Sequence, residues 1–182
     1  MTEVGPEDMA RGEEYNPGEP TTPRQAASVI LLRGGADALE VLLVKRNPEA
    51  RVMGGAWVFP GGAVDAGETH RAAGVREVAE EAAVTLPDPA ALVELSRWIT
   101  PPALPMRFDT LFYLAPAPAG AEPRVDGSEC VDLGWFAPRA ALESGISLMF
   151  PTRRTLEQLA DLPSADAALA WAARREPELF TP

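Results

Sequence analysis

The chain has 182 residues, enough to bury one sizeable core and too few for two ordinary domains. Apolar residues make up 46% of it, which fits a soluble globular fold. The formal net charge of −11 repels a phosphate backbone, so neither DNA nor RNA is an expected partner.

Residues 1–24 are rich in Pro, Gly, Glu and Thr and have almost no large apolar side chains, which predicts a mobile acidic tail ahead of one domain over residues 25–182. The acidic N-terminus has no apolar run, so it is not read as a secretory signal. No stretch approaches the ~18 apolar residues of a membrane span. A cytoplasmic protein without a membrane partner is expected.

Ala26–Leu32 reads as a strand, residues 34–37 as its turn, and Leu39–Lys45 as the returning strand. Trp57-Val58-Phe59 reads as a short strand stopped by Pro60-Gly61-Gly62. The strongest helix spans Thr69 to about Ala83. Val75, Val78, Ala79 and Ala82 form its apolar stripe, and Thr69 can cap it. Ala91–Ile99, Phe108–Leu114 and Cys130–Phe136 read as strands. Pro138–Glu143, Thr152–Ala160 and Ser164–Arg175 read as helices. Short strands interleaved with helices predict an α/β domain, a mixed sheet with helices on both faces.

Cys130 is the only cysteine and reads as a small buried strand residue rather than a nucleophile, since His70 is the only histidine that could activate it. His70 itself reads as a solvated residue of the helix's first turn. Within that helix Glu77, Glu80 and Glu81 fall at i, i+3 and i+4, so their carboxylates share one face. Like charges at this spacing repel by a few tenths of a kcal/mol per pair, roughly, in an isolated helix. A solvated acidic face is the plain reading, and a hard cation held by oxygen ligands is the chemical one. The neighbours favour the cation. Gly61-Gly62 lets bare backbone approach a ligand, Glu68 stands just before the helix, and Arg76 can orient a glutamate through its guanidinium.

These residues resemble the Nudix box: a glycine, five residues, a glutamate, seven residues, then R-E-U-x-E-E-x-G-U with U a bulky aliphatic residue. Here Gly62 is followed by Glu68 and then by Arg76-Glu77-Val78-Ala79-Glu80-Glu81-Ala82-Ala83-Val84. The one departure is Ala83 in place of glycine. Either the alanine adopts a left-handed conformation at a cost on the order of 1 kcal/mol, or the helix runs on toward Pro87. The resemblance implies a Nudix α/β/α sandwich and hydrolysis of a diphosphate linkage with Mg²⁺ or Mn²⁺. It implies that Glu77, Glu80, Glu81 and the Gly61 carbonyl hold metal, and that Glu68 and Arg76 keep helix and loop in place around them. It further implies a glutamate six residues before Trp135, as a metal ligand or general base. Glu129 matches that position, and Asp132 competes with it.

A second pattern lies upstream. Leu42-Leu43-Val44-Lys45-Arg46-Asn47, then Arg51, Gly55 and Phe59-Pro60-Gly61-Gly62, resembles the coenzyme A diphosphatase subgroup, with Val44 for its Thr and Asn47 for its Ser. Trp98-Ile99-Thr100-Pro101 followed by Arg107-Phe108-Asp109-Thr110 resembles the same circle of enzymes, without a peroxisomal C-terminal signal. The resemblance implies Arg46, Arg51 and Arg107 as substrate-binding cations and coenzyme A or an acyl-CoA as preferred substrate. An ADP-ribose, dinucleotide or sugar-nucleotide hydrolase is the enzymatic alternative, and a non-catalytic nucleotide sensor is the alternative of another class. The partner expected is a small nucleoside diphosphate derivative, and a homodimer is compatible with the sequence.

Overall fold

In the computed structural model, residues 2–3, 19–50 and 53–181 are described; residues 1 and 4–18 of the expected tail, and Arg51, lie outside the described residues. The strand that positions everything else is β2, Arg24–Arg33; the two-residue strand Thr2–Glu3 before it is β1. Ala27, Val29 and Leu31 of β2 belong to one apolar layer, and Ile30 and Leu32 to the other. A strand buried on both faces reads in sequence as an unbroken apolar run, which is what Ala26–Leu32 is.

Along one edge, β2 pairs in parallel with β7, Phe108–Pro116, from Arg24 opposite Phe108 to Leu32 opposite Pro116. Next to β7 lies β6, Val93–Ile99, antiparallel to it; beyond β6 come β9, Glu178–Thr181, and then β1, each in parallel. The other edge of β2 is divided. Its C-terminal end pairs antiparallel with β3, Glu40–Arg46, through Leu32 opposite Val41. Its N-terminal half pairs antiparallel with β5, Gly61–Ala63, through Ser28 opposite Gly61. Two more strands flank β3 antiparallel to it, β4 at Trp57–Val58 and β8 at Cys130–Phe136.

Helix α1, His70–Ala82, covers one face with Ala73, Val78 and Ala82 against Val29, Tyr113 and Cys130. It packs so closely that a Cβ built on Gly74 would sit 2.8 Å from Val29 Cγ2. The other face is covered by α2, Pro138–Glu143, α3, Phe150–Leu159, and α4, Ala165–Ala172, through Ala141, Leu156, Leu159, Ala168 and Ala172. The result is the expected α/β/α arrangement around a mixed sheet. Among the described residues no helix is long and apolar enough to cross a membrane.

Three features depart from the sequence reading. Gly61-Gly62-Ala63 does not simply stop a strand; it forms β5, held to β2 in register. Strand β9 was not expected. Phe180 brings it into the core, 1% exposed, its ring stacked on Trp98 at 3.6 Å and 8°. Helix α3 begins at Phe150 with Pro151 in its first turn, where a proline loses no hydrogen bond, and α4 ends at Ala172 rather than near Arg175.

Candidate functional site

Helix α1 starts where the Thr69 hydroxyl accepts the Ala72 amide at 3.2 Å. It ends where Ala83 turns left-handed, φ 54° and ψ 31°, and donates to the Ala79 carbonyl at 3.1 Å. The helix therefore stops at the box position where glycine is usual, rather than running on. The apolar stripe faces β2, and the next face around carries the glutamates onto β5.

The fit there is close. Gly61 N–H donates to Glu81 Oε2 at 3.0 Å. A Cβ on Gly62 would lie 2.4 Å from Glu77 Oε1, so only glycine leaves room for that carboxylate. Glu77 and Glu81 are buried, whereas Glu80 points outward with its side chain 59% exposed. Arg76 ties the group together. Its Nε and Nη2 donate to Glu68 at 3.2 and 3.0 Å, Nη2 also to the Ala63 carbonyl at 2.9 Å. Its Nη1 reaches Glu77 at 2.7 Å and Glu80 at 3.0 Å. Glu68 in turn accepts the Asp65 amide at 3.1 Å, which closes the loop onto the helix.

These surroundings shift the acids in opposite directions. Burial pushes Glu81 up from its ordinary 4.5 to about 7, against the Gly61 hydrogen bond and the nearby Arg46 charge, which lower it. Burial also raises Glu77, opposed by Arg76 and assisted by the charges of Glu80 and Glu129. The Arg76 hydrogen bond holds Glu68 below its ordinary value. Burial pushes the Cys130 thiol up, as does the neighbouring Glu81. Cys130 is fully buried, as its sequence context suggested, and it also touches a site carboxylate.

Glu129 enters from the loop ahead of β8, and its charge bears on Glu77. Asp132 lies opposite Lys45 and accepts the Leu133 amide at 2.9 Å. Arg46, at the end of β3 opposite Cys130, lies near enough to Glu81 for its charge to count. Arg107 is engaged by backbone. Its guanidinium donates to the Thr100 and Thr21 carbonyls at 3.0 and 2.6 Å, pinning the segment before β2. His70 is half-buried and bonded to Gln25 at 3.0 Å, so it is less solvated than the sequence suggested. Sequence reasoning assigned no role to Asp126 or Asn47, which shape the loop carrying Glu129. The Asp-Gly-Ser run, a common turn signature, was the available signal for the first.

Among the described residues no three His, Cys, Asp or Glu side chains converge into a ready metal cage. Glu77 and Glu80 are engaged by Arg76, and Glu81 by an amide. The donor chemistry nonetheless fits a hard divalent cation: three carboxylates, two of them buried beside glycine backbone. Such an array can bind and orient a polyanion through a bridging cation and accept a proton from water.

A family model described as NUDIX domain matches residues 22–156. A Caenorhabditis elegans protein named "Putative nudix hydrolase 7" is 30% identical, with 66% of this chain and 53% of that protein covered; the chain spans about half the length of this curated relative. The crystal structure of a NUDIX hydrolase from Alicyclobacillus acidocaldarius superposes with TM-score 0.72 at 27% identity, covering 82% of this chain and 96% of that one. That of a MutT NUDIX hydrolase from Burkholderia pseudomallei superposes with TM-score 0.62 at 31% identity, covering 76% and 99%.

Proposed function

The chain belongs to the NUDIX domain family, and from that membership we propose that it is a divalent-cation-dependent pyrophosphohydrolase acting on a nucleoside diphosphate linked to another group. The observation that carries this reading is the face of α1 that sets Glu77 and Glu81 against Gly62 and Gly61, with Glu80 beside them and the charge of Glu129 bearing on Glu77.

Glu77, Glu80 and Glu81, with the Gly61 carbonyl, would hold Mg²⁺ or Mn²⁺. When bound, the cation supplies charge neutralisation to the diphosphate and makes water easier to deprotonate. The chain's own groups do the rest. Arg76 and Glu68 fix α1 to the β5 loop, so that carboxylates and backbone share one geometry. Glu129, exposed at the cluster's edge, accepts the proton of the attacking water. The water oxygen bonds to phosphorus, the P–O bond of the anhydride breaks, and the departing phosphate carries away the electron pair. Arg46, whose charge bears on Glu81 from the end of β3, would meet the substrate's diphosphate.

The finer reading is coenzyme A or an acyl-CoA as substrate, cleaved to a phosphopantetheine product and adenosine 3′,5′-bisphosphate. It is supported by the spacing of Arg46, Arg51 and Gly55 ahead of Phe59-Pro60-Gly61-Gly62. A panel of coenzyme A, ADP-ribose, NADH, a dinucleoside polyphosphate and dGTP, each with Mg²⁺, Mn²⁺ or EDTA, tests both levels. Cation-dependent cleavage that is highest for coenzyme A supports both. A clear preference for another member overturns the coenzyme A reading alone. Binding without cleavage across the panel overturns the enzyme and leaves a nucleotide sensor. Glu80→Gln and Glu81→Gln should each lower kcat by orders of magnitude while the domain stays folded.

A further inference from the structure

Glu129 is exposed, and so are Asp126, Gly127 and Ser128 before it, so no apolar burial fixes this stretch. Hydrogen bonds fix it instead, and four of them converge on one carboxylate. Asp126 Oδ2 accepts the amides of Ser128 at 2.9 Å and Glu129 at 2.8 Å, together with the Ser128 hydroxyl. Asp126 Oδ1 accepts the amide of Cys130 at 2.9 Å. Gly127, with φ +79°, makes the reversal that brings three successive amides onto one side chain, and its own amide donates to the Cys130 carbonyl at 3.0 Å. A second clasp comes from the end of β3. Asn47 Nδ2 donates to the Ser128 carbonyl at 2.8 Å, and the Asn47 amide donates to the Glu129 carbonyl at 2.8 Å.

We infer that Asp126 and Asn47 are positioning residues for Glu129, setting the backbone from which its charge bears on Glu77. The inference rests on the reading of Glu129 given above. Asp126 is itself engaged by four donors from its own loop, so its part is to order the loop rather than to meet substrate. Asn47 follows Arg46 directly. The same clasp therefore couples the Glu129 loop to the strand end carrying the arginine beside Glu81. Groups that orient a ligand in this way typically change activity about 10–100-fold when removed.

The test is a double-mutant cycle on the full chain with saturating Mn²⁺, reading kcat, KM and melting temperature. Asp126→Ala should lower kcat at least about tenfold with KM changed less than about threefold. Asp126→Asn, which keeps one oxygen acceptor, should recover part of the loss. In the Glu129→Gln background Asp126→Ala should cost nothing further. Asn47→Ala should behave alike, more mildly, and it carries the test if Asp126→Ala does not fold. Equal losses with and without Glu129 would overturn the inference, as would full activity of Asp126→Ala and Asn47→Ala. If Glu129→Gln itself keeps full activity, the inference falls, while cation-dependent cleavage by the wild type leaves the proposed function in place.

Discussion

The Gly61 amide and the Glu81 carboxylate meet at 3.0 Å across 20 residues of chain, a backbone hydrogen bond that joins the acidic helix to β5 through a candidate metal ligand. The amide favours the ionised acid, but burial outweighs it, and Glu81 sits at about 7. Because the folded value lies above the ordinary 4.5, the metal-free fold prefers the protonated form. Its contribution to stability is complete below 4.5 and is lost as pH rises through the interval up to about 7. In EDTA the melting temperature of the wild type should fall across that interval, and Glu81→Gln should flatten the slope. Parallel curves for the two proteins would refute the assignment.

The adjacent glycines should fail differently when given a side chain. Gly61→Ala places a Cβ 2.4 Å from the Ala27 carbonyl oxygen and 2.7 Å from Ser28 Cα, both backbone, so β5 must part from β2. A loss of about 1–3 kcal/mol is expected in chemical denaturation. Gly62→Ala meets the Glu77 carboxylate, which can rotate away at a cost on the order of 1 kcal/mol. Its kcat should nevertheless fall at least about tenfold, because a candidate ligand has moved. The comparison fails if Gly62→Ala is the more destabilised and the more active of the two.

Ala83→Gly should stabilise the protein by about 1 kcal/mol, since an exposed alanine at φ 54° carries a left-handed penalty that glycine lacks. Turnover should not change. A denaturation midpoint equal to or below that of the wild type would show that the cap holds no such strain.

Arg46→Ala should reduce kcat/KM by about 1.5–3 kcal/mol, the range for hydrogen bonds to charged groups. Since Arg46 lies near Glu81, the loss should be equal on coenzyme A and dephospho-coenzyme A, as expected of a contact to the diphosphate. A loss confined to coenzyme A would place the arginine at the 3′-phosphate instead.

The acidic helix was legible because its chemistry and its periodicity coincide. Glu77, Glu80 and Glu81 share a face by spacing alone, and the same spacing places Val78 and Ala82 on the core. The sheet was legible where strands are long and apolar, as in β2. It was not legible in β9, where four residues gain their place only by pairing with β6 and stacking Phe180 on Trp98. Arg107 shows a different limit. Spacing identifies a cation but not the carbonyls it will meet, and here those belong to Thr21 and Thr100. Asp126 was marked only as a turn residue, for a related reason: its partners are mostly backbone amides, which every sequence supplies.

One half of the Arg76 guanidinium is an anchor, held by Glu68 and the Ala63 carbonyl; the other half, Nη1, lies between Glu77 and Glu80. Arg76 is therefore a tethered competitor for the oxygens proposed to hold a cation, present at a fixed effective concentration. It relieves the mutual repulsion of those carboxylates before any ion arrives, with a charge that in small metal-nucleated domains only the ion supplies. A monovalent ion offers Glu77 and Glu80 no more charge than Nη1 already does, whereas a divalent ion does. In the proposed site the selectivity threshold would thus be set by a side chain that coordinates nothing itself.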